Sequence, residues 1–133
     1  AAISHDLYHF EVVGPEITDC AHEGPNVFEL GNVKWMITDF WSGLAVYRSE
    51  DFSHWERCSE ILLGEAGNRP LDGAIGHHAD VVVEGEEAYI FYFCHPYENE
   101  KKDCQAEGMA ALTSIQGARI WTDGKHLYCD RES

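Results

Sequence analysis

A repeat is the feature that most constrains this chain. The stretch "EGPNVFELGNVKWMITDF" from Glu23 aligns without a gap on "HHADVVVEGEEAYIFYFC" from His77, fifty-four residues further on. Val27 falls on Val81, Gly31 on Gly85, Trp35 on Tyr89 and Ile37 on Phe91. Each copy reads as a strand, a turn at glycine and a second strand rich in aromatic and β-branched residues. A unit that recurs in this way stacks on its neighbours to bury its apolar faces.

A shorter phrase recurs as well. "SHDLYHFE" (4–11) returns forty-five residues on as "SEDFSHWE" (49–56). Ser and Asp side chains bond nearby backbone N–H groups, so Ser-x-Asp with an aromatic four residues after the Asp marks the turn from a third strand into a fourth. After the first long copy, "GLAVYRS" and "HWERCSEIL" supply strands three and four. After the second, "EGMAALTS" (107–114) and "ARIWTDGKHLYCD" (118–130) again hold two strands' worth. No stretch keeps a clean 3.6-residue apolar period, so no helix is expected. The reading is an all-β protein of antiparallel four-stranded blades, a partial β-propeller. Residues 1–20 supply the last strand of a preceding blade, 22–62 one blade and 76–130 another, with "GEAGNRPLDGAIG" (64–76) as the connection. A β-sandwich or a simple meander is the alternative, but neither needs a repeat.

Charge narrows the partners. The chain of 133 residues has 9 basic and 24 acidic side chains, a formal charge of −15. This argues against nucleic acid or an anionic membrane as partner, and no apolar run is long enough for a spanning helix. The N-terminus "AAISHDLYHF" shows no signal peptide. Five cysteines, widely spaced and without CxxC, form neither a disulfide framework nor a zinc pattern, which favours a reducing, cytoplasmic compartment. There is no interpretable Ser-His-Asp or Cys-His arrangement and no phosphate loop.

The stretches "HEGPNVFELGNVKWMITDF", "GLAVYRSEDFSHWE" and "GHHADVVVEGEEAYIFYF" resemble the five-bladed β-propeller glycoside hydrolases, in particular glycoside hydrolase family 43 and its relatives. The resemblance runs from about Ser4 to Asp130. It implies three carboxylates facing a central cavity, one from each of the first three blades. Glu23 of "HEGP" matches the general acid, and His77 of "GHH" matches an axial His that often helps hold a metal ion or water cluster. Calcium, held mainly through water, is the ion implied. The base and the pKa-tuning Asp belong to blades this chain does not contain. The resemblance thus implies about two and a half blades of five, a carbohydrate ligand and a homo-oligomer, most simply a dimer, that completes the ring. An inverting reaction would follow from the family alone.

Glycoside hydrolysis needs one protonated and one ionised carboxyl across the scissile bond. A Glu23 walled by Trp and Tyr would have its pKa raised by desolvation, as an acid requires. Asp39, Trp41, His78 and His95 are the candidates for substrate binding. Asp39 ends an aromatic strand, where it either bonds sugar hydroxyls at a cavity mouth or starts a turn; Trp41 either stacks on a sugar ring or packs between blades. His95 occupies the position of Trp41 in the second repeat. His77 and His78 are adjacent, so in a regular strand they point to opposite faces and share no metal without a bend. Asp80 is expected to bond backbone between blades, and Arg48 with Asp51 to form a buried or interblade ion pair. The runner-up function is a non-catalytic glycan-binding or assembly module derived from such an enzyme.

Overall fold

The computed structural model describes residues 1–97 and 112–133. Among them there is no helix, and hence none long and apolar enough to cross a membrane. Two four-stranded antiparallel sheets dominate. The first runs in the order β3 (Glu23–Leu30), β4 (Val33–Asp39), β5 (Leu44–Ser49) and β6 (Glu56–Leu62). The second runs β7 (His77–Glu84), β8 (Glu87–Cys94), β9 (Ser114–Thr122) and β10 (Leu127–Asp130). Each is a meander in which consecutive strands are neighbours, as expected of propeller blades.

Two expectations change. The third strand of the second sheet is Ser114–Thr122, and 118–130 covers its second half, a turn and the fourth strand. Residues 107–111 of the stretch expected as strand three lie outside the described residues. Residues 1–20 hold two short strands rather than one, β1 (Ala2–Ile3) paired with β2 (Glu11–Val12).

The Ser-x-Asp phrase folds as the same turn in both places. Ser4 Oγ accepts from Leu7 N and Asp6 Oδ1 from Tyr8 N and His9 N; Ser49 and Asp51 do the same for Phe52, Ser53 and His54. Leu7 and Phe52 take left-handed φ of 64° and 65°. A third copy joins β9 to β10, where Asp123 Oδ1 accepts from Lys125 N and His126 N. Its left-handed residue is Gly124, at φ 88°. The phrase is hidden in sequence because Thr122 directly precedes the Asp and Leu127 replaces the aromatic. Arg48 does not meet Asp51. It forms an exposed pair with Glu56, the residue opposite it on β6, while Asp51 pairs with His54 in its own turn.

The two sheets pack face to face. Phe28, Leu30, Trp35, Ile37, Leu44 and Val46 meet Ala79, Ala88, Ile90, Tyr92, Ala118 and Ile120 in one core. Small Ala side chains on the second sheet make room for Trp35, whose indole N–H donates to Leu30 O at 3.0 Å. Asn26 and Asp80, equivalent in the repeat, bond each other at 2.5 Å across the two inner strands. Asp80 therefore joins the blades through a side chain as well as bonding its neighbour Val81 N. The far face of the first sheet, with Met36, Ala45 and Tyr47, is lined by Ile17 of the N-terminal segment and by Phe40 and Trp55.

The connection between the sheets is pinned by a buried carboxylate. Asp72 is fully buried, and Arg131 donates to both its oxygens at 3.0 and 2.7 Å. Tyr92 adds its hydroxyl at 2.9 Å, and Arg69 stands 3.5 Å away. Burial alone pushes the Asp72 carboxyl up, but Arg131, Tyr92 and Arg69 outweigh it, and the pKa lies below the ordinary carboxylate value. Asp72→Asn leaves the Arg131 guanidinium without its counter-charge, and the expected loss in denaturant unfolding is about 3–5 kcal/mol. The ionised form stabilises the fold at every pH above the unfolded-state value of about 3.9, and that contribution is lost as pH falls through the lower folded-state value. The difference between wild type and Asp72→Asn therefore shrinks at acid pH.

Candidate functional site

The site forms where the inner strands of both sheets begin. Glu23 opens β3 and pairs in register with Asp39 at the end of β4; His77 opens β7 and pairs with Phe93 near the end of β8. Both inner strands carry a register shift at the same point, between Glu23 and Asn26 and between His77 and Asp80. The bulge needs a left-handed residue. In the first copy it is Gly24, at φ 55°; in the second it is His78, at φ 33°. Glycine takes this conformation freely, whereas for a residue with a Cβ it is strained by about 1–3 kcal/mol.

The bulge is the bend that lets both histidines serve one site. Asp39 is buried, with 1 % of its surface exposed. Its Oδ2 accepts from His77 Nδ1 at 3.0 Å and from the backbone N–H of His78 at 3.2 Å. Its Oδ1 accepts from Trp41 N at 2.8 Å. The His78 ring then reaches back across the blade boundary, and its Nε2 lies 2.9 Å from Glu23 Oε1. A Cβ on Gly24 would sit only 3.0 Å from His78 Nδ1, so the missing side chain is what admits the imidazole.

Each sequence candidate now has a place. Glu23 stands half in solvent, its side chain 47 % exposed, and faces an imidazole rather than a wall of Trp and Tyr. Asp39 does not open onto a cavity mouth; its oxygens turn inward to His77, His78 and Trp41, so it holds the site together from beneath. Trp41 is about half exposed and is not packed between blades. The His77 ring stacks on Phe93 with centroids 5.5 Å apart, and His95 meets the edge of Phe93 at the same distance. His95 Nδ1 faces Leu112 O at 3.2 Å, so this side chain belongs to the site's outer wall. Sequence reasoning placed Gly24 beside Glu23 as a residue that suits a fixed site, but missed the space it leaves for His78, and it missed Phe93. The repeat alignment held the signal for Gly24, because it sets this glycine opposite His78.

His78, not His77, comes together with the two carboxylates: one atom from each of Glu23, Asp39 and His78 lies within 4.8 Å of the others. Calcium takes six to eight oxygen ligands. Here Asp39 is already bonded to three N–H groups and His77 Nδ1 is taken by Asp39, leaving one carboxylate and one imidazole. These residues do not fit a calcium ion. Nor is Asp39 presented as the second carboxyl of a hydrolytic pair, since both its oxygens turn inward to N–H donors. The arrangement offers one accessible carboxyl, oriented by an imidazole, over a buried carboxylate that fixes the backbone.

No protein-family model and no curated protein matches the sequence. Solved structures match by fold. A thermostable family-43 glycoside hydrolase superposes with a TM-score of 0.55 at 15% identity, over 84% of this chain and 37% of its own. A GH32 β-fructofuranosidase of Bombyx mori gives 0.61 at 15% identity, over 98% of this chain and 29% of its own. A variant of that enzyme in complex with sucrose gives 0.60 at 14% identity, over 99% and 31%. At these identities the match shows the fold: blades of the β-propeller found in these glycoside hydrolases. The chain spans about a third of the length of the structures it matches.

Gly24→Ala tests how the site is packed. The new Cβ meets His78, and the left-handed φ is strained for alanine. A loss of about 1–3 kcal/mol is expected in chemical denaturation.

Proposed function

We propose that this chain is the acid-bearing part of a glycoside-hydrolase-like propeller, acting on glycosidic bonds with Glu23 as general acid. The observation that carries this reading is the placement of Glu23: the one accessible carboxyl at the start of the inner strand, held by His78 from the next blade over a buried Asp39. The fold shared with family-43 and GH32 enzymes supports a carbohydrate as substrate. Trp41 offers an exposed apolar ring for stacking on a sugar, and His95 lines the outer side of the same end.

The second carboxylate comes from the neighbouring sheet that completes the ring. Residues 1–20 close a preceding blade, and 22–62 and 76–130 form the two that follow it. The repeat supports completion of the ring by another sheet. Phe28, Trp35 and Ile37 are buried between the blades, yet their equivalents Val82, Tyr89 and Phe91 are exposed on the outer face of the second sheet. A second copy of the chain covers that face in a homodimer.

A second reading, a glycan-binding or assembly module without turnover, is favoured by one specific observation. Asp39, the nearest carboxylate, is fully engaged by N–H donors and is unavailable as a base.

Two measurements separate the readings. Light scattering is expected to give a mass near twice 15.0 kDa; a monomer removes the dimer. In a panel of p-nitrophenyl glycosides and sucrose, wild-type turnover is expected to fall by roughly 10²–10⁴-fold in Glu23→Gln with the fold intact. Binding of sugars without hydrolysis in either protein selects the second reading.

A further inference from the structure

We propose that His78 is a positioning residue for Glu23, put in place by a strained backbone that the first repeat avoids with glycine. The proposal rests on the reading of Glu23 as general acid. Four observations converge on it. The repeat aligns His78 with Gly24, and both residues adopt the left-handed conformation that the shared bulge requires. Glycine is the residue that fits this position without strain, whereas histidine there accepts a strained backbone and places its ring against Glu23. The strained backbone is held by Asp39, which accepts the His78 N–H at 3.2 Å while gripping His77 with the same oxygen. And Gly24 leaves the space through which the His78 ring reaches Glu23.

The groups around His78 are few. Glu23 and Gly24 face it from β3, Asp39 meets its backbone from β4, and the Phe93 ring lies 5.9 Å away on β8. With Nε2 standing 2.9 Å from Glu23 Oε1, the imidazole lies against one oxygen of the carboxyl and Oε2 is left to carry the acidic proton. As the bond from the anomeric carbon to the leaving oxygen breaks and the electron pair goes to that oxygen, the Oε2 proton passes to it; a water molecule adds to the anomeric carbon and gives its proton to the second carboxylate of the proposed neighbouring sheet. The carboxylate that remains keeps the His78 imidazole beside it. The imidazole touches neither sugar nor leaving group; it acts through Glu23. The pairing also spans two blades, so Glu23 is oriented only while the two sheets stay in register.

The test begins with a readout that needs no substrate. In protein labelled with ¹⁵N-histidine, long-range ¹H–¹⁵N spectra are expected to show His78 as the Nε2–H tautomer. Its ring proton should be protected from water exchange in wild type and exposed in Glu23→Ala. A Nδ1–H tautomer, or a His78 signal indifferent to Glu23→Ala, overturns the proposal without reference to activity. On an aryl glycoside turned over in the panel above, His78→Ala is expected to lower kcat roughly tenfold to a hundredfold with little change in KM. His78→Gln, which keeps a donor near the same place, retains most of the rate. Equal losses in both variants, or an effect confined to KM, also overturn the positioning role. Failure of the underlying reading looks different: Glu23→Gln at full wild-type turnover removes the acid, and with it the role of His78, while the spectra still report the pairing.

Discussion

The buried carboxylate of Asp72 decides where the second sheet begins. It receives Arg131 from just beyond the outermost strand β10, the Tyr92 hydroxyl from β8 and, at longer range, Arg69 from its own loop. Arg131 also bonds the carbonyls of Glu65 and Ala74, so one guanidinium satisfies acceptors at both ends of the connection. A loop of this length would otherwise bury unpaired backbone groups. With it tied down, Gly76 N bonds Leu63 O, and His77 enters β7 at a defined point. A Cβ on Gly76 would lie 2.7 Å from Leu63, so the entry to the strand is closely packed. The clamp is remote from Glu23, yet it sets the register that brings His77 and His78 to Asp39.

From that register follows the division of labour among the site carboxylates. Asp39 and Glu23 face each other across β3 and β4, but their surroundings differ sharply. Asp39 is buried and spends its lone pairs on three N–H donors, two of them backbone. Buried carboxylates are stable only when bonded in this way. Glu23 has one imidazole beside it and is otherwise half exposed. A carboxyl fit for proton transfer has to keep one oxygen free, and among these two only Glu23 does. The bulge that exposes it is a property of both repeats, but only the second fills the left-handed position with a side chain.

Fold class was legible because it rests on short-range signals. Alternating apolar strands, turn glycines and a gapless repeat all report on local geometry, and they agree on four-stranded meanders. The Ser-x-Asp turn was readable in two copies for the same reason. Its third copy escaped because left-handed φ, not the aromatic at the end of the phrase, is what the turn requires, and Gly124 meets that need without the signature. The site was legible only in part. Glu23 and Asp39 stood out by their strand ends, but the direction of the Asp39 oxygens depends on His77 and His78, dozens of residues away. Asp72 read as one polar residue in a loop, since its partner Arg131 lies fifty-nine positions further on. Adjacent histidines in a regular strand must diverge; only the bulge, invisible in composition, lets them converge.

The same repeat that builds the interblade core leaves an apolar row exposed on the outer face of the second sheet. Phe28, Trp35 and Ile37 share one buried core with Ala79, Ala88 and Ile90 of the second sheet. In the second sheet, Val82, Tyr89 and Phe91 project at the equivalent positions, joined by Trp121 and Tyr128, which stack on each other at 5.6 Å. Apolar side chains kept at the positions that face a neighbour in one blade are evidence that a neighbour faces them in the next. Sheets of this kind bury such rows against another sheet at about 10 Å. The proposed acid Glu23 and the exposed apolar row thus both call for a neighbouring sheet. Under the proposed ring closure, a further sheet would cover Tyr89 and Phe91 and bring the start of another inner strand towards the axis, where a second carboxylate would stand opposite Glu23.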